Sequence, residues 1–297
     1  MWKKVLCKTE QLKDELRGIQ LNHPQLQHLR ILLHGPVGAG KSCFINSLQS
    51  VFQGEIKAIT YEQSFAKKSC TRTYKTYRII TNNSETLPFI FNDVMGLEAT
   101  EEDGMHPEDV VNAMLGHIKD GYKFNPTTPI SAEDQGFIRE PSLQDKVHCL
   151  VSVVPANSIS RMEYGVISKM GIARENAKRL GIPHVVIMTK VDEDVCPLVQ
   201  KDLTQIYKSR KIKEKVCCIL MYIHLNSLHL DFLEKTKNES YRHRPMRNCS
   251  DRLGPPMKCV FPISNYHEET EIDNNKDVLI LMALLYIVKV AKDYVKV

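Results

Sequence analysis

Residues 35–42 read Gly35-Pro36-Val37-Gly38-Ala39-Gly40-Lys41-Ser42, directly behind the apolar run Leu29-Arg30-Ile31-Leu32-Leu33-His34. No other stretch restricts the fold as much. Two glycines five positions apart let the backbone wrap closely around a phosphate, and the amides and the N-terminus of a following helix supply positive counter-charge. The pattern is the strand–GxxxxGK[ST]–helix unit. It predicts that Gly35, Val37, Gly38, Ala39, Gly40 and Cys43 line the loop. Lys41 reaches the β- and γ-phosphates, and the Ser42 hydroxyl binds Mg²⁺. Ile45, Leu48, Val51 and Phe52 give the next helix one apolar face, and Gly54 closes it.

Alternation decides what surrounds the loop. Tyr74–Thr81 and Leu87–Asp93 are β-rich runs joined by Asn82-Asn83-Ser84-Glu85, which suggests an antiparallel pair. Val147–Val154 and Pro183–Thr189 are continuous apolar runs typical of strands covered on both faces. Helical patterns fall between them, from Pro107 and from Glu163 to Leu180. The fold class is therefore α/β, a P-loop NTPase with a doubly wound, mostly parallel six-stranded sheet and an antiparallel second strand. Residues 1–28 read as a lead-in helix and 29–297 as a single G domain with a long internal loop over 121–145. Lys258–Ile263 is the last strand and Val278–Val290 lies in the closing helix. A helix from Leu198 runs through the basic stretch to Lys215, and Leu97–Glu108 lacks periodicity and reads as mobile and solvated.

Two further motifs concern the nucleotide. Asp93-Val94-Met95-Gly96 is DxxG at the end of a buried strand, placing Asp93 in the Mg²⁺ shell and the Gly96 amide at the γ-phosphate. Thr189-Lys190-Val191-Asp192 is the [NT]KxD box at the tip of a later strand. The Asp192 carboxylate accepts two hydrogen bonds from guanine, whereas adenine offers no such paired donors. The Lys190 stem lies along the base plane, and Ser264-Asn265 completes the pocket. Thr71, with Thr73 as the alternative, is the γ-phosphate-sensing threonine and a Mg²⁺ ligand beside Ser42 and Asp93. GTP or GDP with Mg²⁺ are thus the expected cofactors.

Composition sets limits. Of 297 residues, 42% are hydrophobic and 25% charged, enough for a full core. The net charge of +5 is too mild to argue for nucleic acid. Nine cysteines show no metal-binding spacing and fit reduced thiols in the cytoplasm. No signal segment, lipidation box or membrane-spanning run is evident.

The strings RILLHGPVGAGKS, NDVMGLE around Asp93, GYKFNP at 121–126, TKVDE at 189–193 and FPISNYHEE at 261–269 together resemble the interferon-induced protein 44 and 44-like family. The resemblance runs from about Trp2 to Tyr294. It implies a Ras-like G domain in a cytoplasmic, interferon-inducible protein of antiviral and innate immune defence, whose longer members carry an N-terminal domain. Residues 217–248 depart from the family pattern and read as an atypical insertion or a gene-model artefact.

Hydrolysis is expected to be slow. Small GTPases that orient water with a side chain place Gln directly after DxxG, and here that residue is Leu97. Val37 takes the loop position where a Gly would leave room for an inserted arginine. Three readings follow: a GTP-dependent switch or assembly protein with slow hydrolysis, a GTPase activated by self-association, and a non-hydrolysing nucleotide-bound scaffold. The protein effector is not legible.

Overall fold

The computed structural model describes residues 9–21, 23–60, 72–100, 104–216 and 259–296. Within them the strands are β1 (Leu29–His34), β2 (Lys75–Ile80), β3 (Thr86–Asp93), β4 (Cys149–Pro155), β5 (His184–Thr189) and β6 (Val260–Pro262). The helices are α1 (Thr9–Arg17), α2 (Lys41–Gln53), α3 (Pro107–Leu115), α4 (Tyr164–Arg179), α5 (Pro197–Lys201) and α6 (Asn274–Tyr294). The six strands form one sheet in the order β2-β3-β1-β4-β5-β6. β2 runs antiparallel to β3, and every other pairing is parallel. This is the mostly parallel six-stranded sheet with an antiparallel second strand expected above.

The central strands are covered on both faces. Leu29, Ile31, Leu32 and Leu33 of β1, and Cys149, Leu150, Val151 and Val153 of β4, are fully buried. α1 and α2 pack with α6 in one layer, and α3 packs with α4 in the other. α6 is the longest helix described, with Val278, Leu281, Leu284 and Val288 among its fully buried positions. Among the described residues no helix is long and apolar enough to cross a membrane. Among the described residues, Cys43, Cys149, Cys196 and Cys259 are not in disulfides.

Arg30 interrupts the apolar β1 with a charge. Its Nε donates to the Gln144 carbonyl at 2.9 Å and its Nη1 to Asn92 Oδ1 at 3.1 Å. Asn92 Nδ2 continues the chain to Thr76 Oγ1 at 2.8 Å, and the Thr76 amide donates to Asp120 Oδ1 at 2.6 Å. The Arg30 amide donates to His148 Nδ1 at 2.8 Å, so His148 carries its proton on Nε2 and donates to the Leu143 carbonyl at 3.0 Å. A polar thread thus crosses β1, β3 and β2 and fastens the long loop before β4 to the sheet.

That loop carries no long element, as expected, but it is docked. The Tyr74 amide donates to Tyr122 O, the Gly121 amide to Tyr74 O and the Phe124 amide to Arg72 O, at 2.8 to 3.0 Å. The segment GYKFNP therefore lies beside the entry to β2, with Tyr74 and Phe124 in edge-to-face contact.

Three expectations need correction. α1 ends at Arg17, followed by the turn in which the Gly18 amide bonds Asp14 O, so within the described residues the lead-in helix stops well before residue 28. The stretch from Leu198 to Lys215 is broken rather than one helix. Asp202 adopts an extended backbone (φ −150°, ψ 101°) and caps a new turn by accepting the Thr204 amide, and a separate helical run covers 210–216. Leu97 is buried and bonded through its backbone to Gly35 and Val37, and Met105 is buried with its amide on Gly96 O, so Leu97 and Met105 are packed against the core rather than solvated. The atypical stretch 217–248 lies outside the described residues.

Candidate nucleotide site

The carboxyl-terminal ends of β1, β3, β4 and β5 open on one edge of the sheet, where the chain order reverses between β1 and β4. Ligands of open α/β sheets bind at such a switch point. β1 ends at His34, and the loop 35–40 leads straight into α2. Gly40 takes the left-handed conformation at φ 89°, and a Cβ there would lie 2.9 Å from Asn265 Nδ2. Only glycine fits this junction.

Lys41 and Ser42 open α2. The Lys41 ammonium is buried and donates to the carbonyls of Gly35 and Pro36, each at 3.1 Å. Burial pushes its pKa down, against the opposing pull of Asp93. Ser42 Oγ donates to Asp93 Oδ2 at 2.6 Å. The two oxygens expected at a magnesium ion therefore already meet. A hydroxyl and a carboxylate form the hard oxygen set that Mg²⁺ takes, with water and phosphate completing its octahedron. These residues fit the ion.

The residues after Asp93 fold back onto the loop. The Leu97 amide donates to Gly35 O at 3.0 Å, and the Val37 amide donates to Leu97 O at 3.3 Å. A Cβ on Gly96 would fall 2.5 Å from the Val37 side chain, so Gly96 and Val37 are a matched pair. The Leu97 side chain is 1% exposed. It is held in the core, away from any position that orients water. Thr73 is bridged through its backbone to Lys123, while Thr71 lies outside the described residues.

The base end gathers three distant segments. Asp192 follows β5, and Lys190, with a left-handed backbone (φ 56°), turns the chain there and pairs with Glu193 at 3.4 Å. Ser264, just past β6, donates its hydroxyl to Asp192 Oδ2. Lys276, in the first turn of α6, places its ammonium 3.5 Å from the same oxygen. Asp192 and Ser264 come together.

Thr189 and Asn265 also make contacts that the motifs do not announce. Thr189 Oγ1 donates to Ala39 O at 2.6 Å, and Asn265 Nδ2 donates to Gly40 O at 3.1 Å. Both side chains brace the phosphate loop from behind and join the two ends of the site. Asn265 Oδ1 is buried with no hydrogen-bond partner. It is an acceptor held ready near the base end.

Lys276, Glu269 and Tyr266 went unread in the sequence. Tyr266 Oη donates to Asp277 Oδ1 at 2.6 Å and accepts the Asp273 amide at 2.7 Å, while its own amide donates to Ser47 Oγ at 2.9 Å. Burial pushes the Tyr266 and Asp277 pKa values up. Lys276 also donates to Glu269 and to Asn265 O. Burial works against the Glu269 carboxylate, but Lys276 and the His267 amide bring its pKa down to about 2. One signal was available: Asp273 caps α6, which places Lys276 in a first turn, where a cation opposes the helix dipole.

Among solved structures, the chain is similar at low TM-score to Era in complex with MgGDPNP (15% identity, 62% of this chain and 48% of that one, TM-score 0.33). It is similar on the same terms to SsGBP with GDP (14% identity, 99% and 58%, TM-score 0.37). No family model matches the chain. Among curated proteins it is 31% identical to human interferon-induced protein 44-like over 91% of this chain and 53% of that protein. It is 32% identical to human interferon-induced protein 44 (99% and 59%). The mouse interferon-induced protein 44 matches at 31% identity over 97% and 64%. The chain is thus a homologue of the interferon-induced protein 44 and 44-like proteins along nearly its whole length, and it spans between about half and two thirds of theirs.

Proposed function

We propose that this chain binds a guanine nucleotide with Mg²⁺ and works as a GTP-dependent switch or assembly protein with slow hydrolysis. One observation carries this reading. Lys41, Ser42, Asp93 and Asp192 are brought to one edge of the sheet, and Thr189 and Asn265 tie the phosphate loop to the base end.

Lys41 would exchange two backbone carbonyls for β- and γ-phosphate oxygens. Its lowered pKa records a cation short of negative partners, and a phosphate would supply them. Ser42 and Asp93 would hold Mg²⁺, with Thr71 as the further ligand. The ion would neutralise phosphate charge and fix its orientation. Asp192 would accept the paired donors of guanine, with Ser264 holding its carboxylate in place.

Hydrolysis is slow in this reading because Leu97 is buried and bonded to Gly35 and Val37 through its backbone. The same feature favours a second reading, a nucleotide-bound scaffold that does not hydrolyse. We also place the chain in the cytoplasmic antiviral response, with self-association or a protein effector reading the bound state; the relatives' names support only that it is interferon-induced. Native protein should release GDP or GTP on denaturation, identified by chromatography. Turnover measured against protein concentration then separates the cases: flat and slow for the switch, steeply rising for self-activation, none for the scaffold. Native protein that carries no guanine nucleotide and binds none when it is added would end the proposal.

A further inference from the structure

We propose that Lys276 is the positioning residue of the base pocket, so that selection of guanine depends on a lysine outside every motif. The inference rests on the guanine reading of Asp192. Lys276 is only 7% exposed, although it sits in the first turn of α6, where a positive charge is unfavourable. Three acceptors, two from the loop after β6 and one from the end of β5, offset that cost. Its Nζ donates to the Asn265 carbonyl at 3.1 Å, pairs with Glu269 and lies 3.5 Å from Asp192 Oδ2. The ammonium also lies 5.8 Å from the centre of the Tyr266 ring.

The geometry at Asp192 makes the arrangement specific. Ser264 takes one lone pair of Oδ2. Lys276, at ion-pair rather than hydrogen-bond distance, neutralises the carboxylate without using up the remaining acceptor positions. Guanine needs two of those positions in one plane. Lys276 simultaneously holds the carbonyl of Asn265, whose side-chain amide braces Gly40. One cation therefore adds a second tie, beside the Ser264 bond, between the Asp192 carboxylate and the loop after β6. Without it, Asp192 and Glu269 would face each other across a half-buried site with no counter-charge, and both would turn toward water.

The test compares equilibrium binding of GTP, GDP and ATP, each with Mg²⁺, to the full chain and to Lys276→Met, Lys276→Arg and Glu269→Gln. In Lys276→Met the affinity for GTP and GDP should fall about 10- to 100-fold while that for ATP stays put, so the guanine preference drops by the same factor. Lys276→Arg, which keeps the charge, should recover most of it. Glu269→Gln leaves Lys276 to Asn265 and Asp192, and should keep the preference in full. An unchanged GTP-to-ATP ratio in Lys276→Met overturns the inference. Equal loss of all three nucleotides also overturns it, because it marks a fastening of the fold and nothing more. Should Lys276→Met fail to fold, loss of preference in Glu269→Gln, or a folded Lys276→Arg without preference, overturns it as well. A wild type that binds ATP as well as GTP would show instead that the guanine reading itself had failed.

Discussion

The two ends of the site are built in opposite ways. The phosphate end comes from one unbroken stretch, Gly35 to Ser42, completed by Asp93 from the neighbouring strand. The base end is collected from the end of β5, the loop after β6 and the start of α6, whose residues lie 72 or more positions apart where Ser264 meets Asp192. A local loop needs only its own backbone geometry to be correct. A collected pocket needs the whole sheet and its last helix in register. Mutations should therefore damage the phosphate end by removing charge and the base end by changing identity.

The largest effect expected is a change of base. Asp192→Asn can donate to the second carbonyl of xanthine but no longer accepts both guanine donors. Sites built around such a bond discriminate by roughly 10⁴ to 10⁵. The variant should lose GTP and gain xanthosine triphosphate in a competition assay. No change of preference would break the contrast, because the base end would then not be reading identity.

Next is Lys41→Ala. Removing a buried cation from a charge pair costs about 2–5 kcal/mol, or roughly 30- to 4,000-fold in affinity. GTP and ATP should weaken together, since phosphate is common to both. The empty protein should lose less stability than affinity, because burial disfavours the Lys41 charge while its bonds to Gly35 O and Pro36 O favour it. Calorimetric titration and a melting curve read both outcomes, and a Lys41→Ala protein that still binds GTP normally would remove the phosphate assignment.

Acid tests the strands under the phosphate loop. Burial, with smaller contributions from His184 and Lys41, lowers the pKa of His34 to about 3. Burial also outweighs the bond to Leu143 O and takes His148 down to about 4. Both side chains are fully buried. Unfolded histidine titrates near 6.5, so the unfolded state gains protons first as pH falls. The stability from these neutral imidazoles is fully present above about 6.5 and is lost as pH falls toward about 4 for His148 and about 3 for His34. At pH 4.5 each should cost on the order of 2–3 kcal/mol. Urea midpoints measured from pH 7.5 to 4.5 should fall, and less steeply in His148→Asn.

The smallest effect concerns the join. Thr189→Val keeps the shape but leaves Ala39 O without its hydroxyl partner, a loss of about 0.5–1.5 kcal/mol. GTP and ATP affinities should both fall by less than about tenfold. Loss for GTP alone would mean that Thr189 acts at the base and that the two ends are independent.

Legibility followed the same division. The loop, Asp93 and Asp192 were readable because each sits at a strand tip within a short pattern whose spacing carries the chemistry. The sheet was readable because β1, β3, β4 and β5 are apolar runs between helical periods. What was missed depends on direction. Lys276 acquires its role only from the angle at which α6 leaves the loop, and Thr189 and Asn265 face the phosphate loop because β5 and β6 lie behind it. Asp202 ended a helix that periodicity carried straight through, since its cap is local hydrogen bonding and not hydrophobic spacing. Leu97 lies in a stretch with no period, yet backbone bonds to Gly35 and Val37 fix it.

Arg30 also acts during assembly. β1 is apolar on both sides of the sheet, so hydrophobicity alone scarcely distinguishes its correct alignment from one shifted by a single residue. Such a shift turns every side chain to the opposite face. It would carry the guanidinium away from Gln144 O and Asn92 and bury it without partners. The one charge in the strand thus works as an error check on pairing. A misaligned β1 is thereby disfavoured, and with it a misplaced phosphate loop five residues further on.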